Sequence, residues 1–118
     1  MSSEELSTNW QNEKHKLVKG EIPWPDIVIE FCKDMNMLGW KVSPHQFERL
    51  SDLEQFILAQ VQISPSSLKE LLYRMSISEN QIGQALAGIA LNDFPKIYAG
   101  FIVQRSIERI ELRKKFSD

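Results

Sequence analysis

The sequence predicts an all-α protein, a single compact bundle of six or seven short helices spanning residues 1–118. Three observations carry that reading. One short phrase recurs three times, as Val42-Ser43-Pro44-His45-Gln46-Phe47, Ile63-Ser64-Pro65-Ser66-Ser67-Leu68 and Ile77-Ser78-Glu79-Asn80-Gln81-Ile82. Each places an apolar residue before a serine and another four residues after it, the hydrophobic-staple pattern of a helix entrance. Proline behind the first two serines suits a first helical turn, where its missing N–H costs no hydrogen bond. Long apolar/polar alternation, the mark of a half-buried strand, is missing, and the connections are two to six residues long, as in helical bundles.

The elements follow in order. Leu6, Trp10 and Leu17 form a narrow stripe at helical spacing over about residues 3–18, so residues 1–22 are expected to hold a helix loosely attached to the rest. Ile22-Pro23-Trp24-Pro25 forces an extended connector, because a residue before proline avoids the helical region. Pro25 can open the next helix, in which Ile27, Phe31, Met35 and Leu38 face inward, and Gly39 stands where a left-handed C-cap is wanted. After the first staple, Phe47, Leu50, Leu53, Phe56, Ile57 and Val61 continue an apolar stripe, with Ser51 to Glu54 as a second capping box. The spacing leaves open whether Pro44 to Gln62 is one bent helix or two. The second staple starts a helix over 66–75 with Leu68, Leu71, Leu72 and Met75 inward. The third starts one from Glu79 to Leu91, apolar on every side from Ala85 onward and so expected inside the core. There Gly83, Ala87 and Ala90 are expected to admit a neighbouring helix closely, so that Gly83→Leu would clash. A last helix runs from about Asp93–Lys96 to Phe116, with Val103, Ile107 and Ile110 on one face.

Composition narrows function. Net charge is −2, with 42% hydrophobic and 25% charged residues, a globular balance that argues against a protein whose whole surface binds polyanions. Residues 93–118 are the basic end, with six basic and four acidic side chains. Cys32 is the only cysteine, so no intrachain disulfide forms, as suits a reducing cytoplasm. The first residues lack the basic start and apolar run of a secretory signal. Ala85 to Val103 approaches membrane-spanning length but carries Asn92, Asp93, Pro95 and Lys96 at its middle, and reads as two buried helices with a turn between them.

No catalytic, cofactor, metal or small-molecule signature is found. His15 and His45 lack neighbours at metal-ligand spacing. Glu30 and Asp34, four apart, read as a solvated face. The glycines are scattered and form no phosphate-cradling loop. The expected activity is therefore binding, to another protein or to a second copy as a homodimer. Trp10 and Trp24 are one candidate surface, since tryptophan anchors interfaces. Arg105, Arg109 and Arg113, at four-residue steps on the last helix, are the other. Leu71 to Leu86 also resembles the helix-turn-helix of bacterial repressors, with Ser76 at the place of that family's turn glycine and no Lys or Arg in the second helix. The resemblance implies duplex DNA as the alternative partner, with Glu79, Asn80 and Gln81 facing base edges and Gln84 a phosphate.

Overall fold

The structure, a computed structural model, describes residues 22–116. Within them lie five α-helices: α1 (Trp24–Met37), α2 (Leu50–Ile63), α3 (Pro65–Arg74), α4 (Glu79–Leu86) and α5 (Phe94–Phe116), with single 3-10 turns at Pro44–Gln46 and Leu91–Asp93. Among the described residues there is no strand, so the all-α expectation holds. Five helices lie among the described residues where six or seven are expected over the whole chain, in part because Pro44–Gln46 is one short turn and not a helix. The expected helix over 3–18, with Trp10, lies outside the described residues.

The core forms around α5, on which α1 and α2 both pack while α3 leans on α2 and α4 on α5. At 23 residues α5 is about 34 Å long. Its inward face carries Ala99, Ile102, Val103, Ile107 and Ile110, all buried. Ser106, buried among them, is satisfied by donating to the Ile102 carbonyl at 2.8 Å, the usual solution for a hydroxyl inside a helix. From α1 come Ile27, Phe31 and Met35, fully enclosed, and Phe31 meets Phe47 edge to face at 5.3 Å.

The helix ends obey the chemistry read from the sequence at most points. Gly39 takes φ +88° after α1. The N–H of Trp40 then reaches the Met35 carbonyl and that of Gly39 the Asn36 carbonyl, which together make a Schellman motif. Asn36 holds the following connector from both sides, accepting from Val42 N at 2.7 Å and donating to Val42 O at 3.0 Å. Staples close at Val42/Phe47 and Ile77/Ile82, all four buried. At the second phrase Leu68 is buried but Ile63 is 77% exposed. One residue, Ser64, joins α2 to α3, and Ile63 ends α2 pointing outward. The capping box of α2 lies two residues earlier than expected: Arg49 N donates to the Asp52 carboxylate at 2.9 Å.

The helix after Ser78 departs most from expectation. It ends at Leu86 instead of Leu91, and only Ile82 and Ala85 are buried on it. Ala87, Ala90 and Leu91 are exposed, and a Cβ added to Gly83 would meet nothing within 4 Å. The core position, the close helix neighbour and the Gly83→Leu clash are all overturned. Gly88, at φ +75°, stops the helix after little more than two turns, so an apolar run reading as interior becomes a surface turn.

Candidate interaction surface

Two carboxylates on α1 and two of the three spaced arginines on α5 meet in register. Glu30 and Asp34 lie one turn apart, as do Arg105, Arg109 and Arg113, and antiparallel packing brings Arg113 to Glu30 and Arg109 to Asp34. Arg113 binds Glu30 through both terminal nitrogens, with Nη1 donating to Oε1 at 3.2 Å. Asp34 also accepts from Arg74 Nε of α3 at 3.0 Å. Glu30 and Asp34 are buried, which corrects the expectation of a solvated carboxylate pair. Buried carboxylates require partners because an uncompensated charge in low dielectric is costly. The Glu30 hydrogen bond raises the Arg113 pKa above its ordinary value, partial desolvation opposes it, and the nearby charge adds to it.

The same arginines finish α3. Arg109 Nη2 donates to the Arg74 carbonyl at 3.1 Å and Arg105 Nε to the Met75 carbonyl at 2.8 Å. Terminal carbonyls have no partner within their own helix, so α5 supplies the donors that α3 lacks. Arg105 additionally pairs with Glu108 at 3.2 Å. Of the basic ridge singled out in the sequence, all three guanidinium groups therefore reach inward or along the fold. Trp24 is likewise engaged: its indole N–H donates to the Phe47 carbonyl at 2.9 Å and its ring stands edge-on to Phe31.

Beside this ladder lies apolar surface. Leu112 and Phe116, one turn apart and each three residues beyond a ladder arginine, are 56% and 75% exposed. Met37, 70% exposed, rests its sulfur against the Arg74 guanidinium at the other end. Arg74, Asp34 and Glu30 were not among the candidate interaction residues read from the sequence. Their signal was present in the matching four-residue spacings on α1 and α5, legible only once the two helices are known to run antiparallel.

The α3–α4 corner places the second group of candidates. Met75 closes α3, Ser76 adopts φ +61°, and its N–H reaches the Tyr73 carbonyl while that of Ile77 reaches Leu72. Ser78 then caps α4, its Oγ accepting from Asn80 N and Gln81 N. Leu71, Met75, Ile77, Ile82 and Ala85 fill the inside of the corner, while Glu79, Asn80, Gln81 and Gln84 are exposed on its outside. Lys69 and Glu79 pair across it at 3.0 Å, both well solvated. The described residues contain no grouping of three or more His, Cys, Asp or Glu able to hold a metal ion, and no helix long and apolar enough to cross a membrane.

Comparison of the chain with models of known protein families, with curated proteins and with solved structures finds no match in any of the three.

Proposed function

We propose that this chain is a non-catalytic helical module of the cytoplasm that works by binding another protein through the outer ridge of α5. The observation that carries this is the pair Leu112 and Phe116, large apolar side chains left in water one turn apart beside a fixed ion-pair ladder. Side chains such as these bury well in a partner's groove as successive anchors of a helix, and the ladder beneath holds their helix rigid, lowering the ordering cost of association. Arg105, Arg109 and Arg113 support the surface from below, and Trp24 braces the N-terminal end of α1, the end that Arg113 reaches. In-cell crosslinking followed by mass spectrometry tests it. Leu112→Glu with Phe116→Glu should abolish crosslinked partners while the circular dichroism melt is unchanged. An identical partner set from the double variant would refute the reading.

Duplex DNA is the second reading, favoured by one observation: the outer face of α4, with Asn80, Gln81 and Gln84, is exposed behind a turn whose Ser76 has the left-handed backbone that a turn glycine would adopt. Phosphate contacts dominate non-specific affinity, so this reading requires gel retardation at low salt that is relieved by added salt. It also requires loss of retardation in Gln81→Ala with Gln84→Ala. Free migration of DNA at every salt concentration would dispose of it.

A further inference from the structure

We infer that residues 76–92, α4 with the turn behind it, form a flap that swings off α5 as one unit while the α1–α5 seam stays closed. Hydrogen bonds draw its boundary. Arg109 and Arg105 of α5 hold the carbonyls of Arg74 and Met75, and Met75 is the last residue so gripped. Ser76 follows at φ +61°, and Gly88, at φ +75°, lies beyond the other end of α4. Two left-handed positions thus bracket one short helix. Hinges are commonly a few such residues at the ends of an element, which absorb the change in backbone angles.

Between these points little fastens the segment. Over residues 78–92 the hydrogen bonds close locally: Ser78 Oγ accepts from Asn80 N and Gln81 N, its carbonyl accepts from Ile82 N, and the Leu86 carbonyl accepts from Ile89 N. Lys69 and Glu79, the ion pair that reaches out of the segment, have side chains 68% and 70% exposed, and surface pairs hold weakly. The remaining attachment is apolar, through Ile77, Ile82 and Ala85. By comparison α1 buries seven of its 14 residues and is tied to α3 and α5 through Asp34 and to α5 again through Glu30. Units with few buried apolar groups and only local polar links open at a free energy well below that of global unfolding. Opening takes Ile77 and Ile82 out of the apolar core and bares the part of α5 on which α4 packs. Leu112 and Phe116 are exposed already, so the flap stands or falls separately from the reading above.

Thiol labelling of the full chain under native conditions tests this, with Cys32, buried in α1, as the reference within the same molecule. Ala85→Cys places a second thiol at a position 2% exposed on the inner side of the flap. The introduced thiol should react at least about a hundredfold faster than Cys32. Urea below the unfolding transition should speed Cys32 steeply and the introduced thiol only slightly, because a small opening exposes little surface. Asp34→Ala, which weakens the seam alone, should speed Cys32 and leave the introduced thiol unchanged. Hydrogen exchange read by mass spectrometry makes the same comparison in the unsubstituted chain, where amides of residues 82–86 should exchange ahead of those of α1. Gly83→Ala, whose added Cβ meets nothing within 4 Å, should slow those amides by about fivefold through helix propensity. Equal labelling of the two thiols, matched acceleration of both by Asp34→Ala, or α4 amides as protected as those of α1 would each overturn the inference.

Discussion

Where α1 meets α5, charged side chains from three helices reach across and fix which residue stands opposite which; where α3 meets α4, four consecutive residues, Met75 to Ser78, make the turn, with Arg105 of α5 holding the Met75 carbonyl. At the seam, Glu30 and Asp34 need Arg113, Arg109 and Arg74 to be tolerable at all. At the corner, Ser76 and Ser78 satisfy neighbouring N–H and C=O groups locally. Long-range joins of the first kind depend on tertiary packing, and joins of the second kind are written in consecutive residues. That contrast sorts the effects of substitution.

The largest expected effect is apolar. Phe31→Ala, which empties the fully buried centre of the seam, should cost about 4 kcal/mol in urea denaturation. Asp34→Ala comes next, at about 3 kcal/mol, since it leaves Arg74 and Arg109 facing a partly buried gap. A loss under about 1 kcal/mol there would show that the seam is held by apolar contact alone. Effects at the corner are smaller. Ser78→Ala should cost about 1 kcal/mol through the lost cap, and Ser76→Gly should gain up to about 1 kcal/mol by relieving a left-handed backbone. If Ser76→Gly proved neutral, the turn would not be strained and the two joins would differ less than described.

A further effect is a pH dependence confined to alkaline solution. Burial raises the Cys32 thiol from 9.0 to about 11. Over that interval the unfolded chain sheds a proton that the folded chain keeps, so the thiol's contribution is complete below pH 9 and is lost as pH rises through about 11. Stability of the wild type should therefore fall between those values more steeply than that of Cys32→Ala. Parallel slopes would mean that the thiol is not desolvated in α1.

The difference between the two joins is also the difference between what was legible in the sequence and what was not. Gly39, the closed staples and the inward residues of α1 and α3 follow from spacings within one helix. Leu53 and Ile57 do so too, and the structure places all of them as expected. The ladder depends on residues 75 and 83 positions apart, and a four-residue spacing of carboxylates alone gives no means of knowing that arginines lie opposite. The error over Ala85 to Leu91 has another cause. Apolar periodicity assumes that the helix continues, and Gly88 ends it, so residues read as a buried rod form an exposed turn. Of the candidate surfaces, the sequence drew attention to α5 through its cations, which serve the fold, and not to the exposed Leu112 and Phe116 beside them.

The arithmetic of the ladder has one more implication. α5 carries three arginines at equal steps against two carboxylates on α1, so the teeth outnumber the notches by one. A slide of α5 by a single turn, about 6 Å along its axis, would set Arg109 against Glu30 and Arg105 against Asp34 with no carboxylate left empty. Electrostatics between these two rods is therefore indifferent to which of two alignments they adopt. The grip of Arg105 on the Met75 carbonyl is what breaks the tie, acting as a pawl that a third helix lends to the other two.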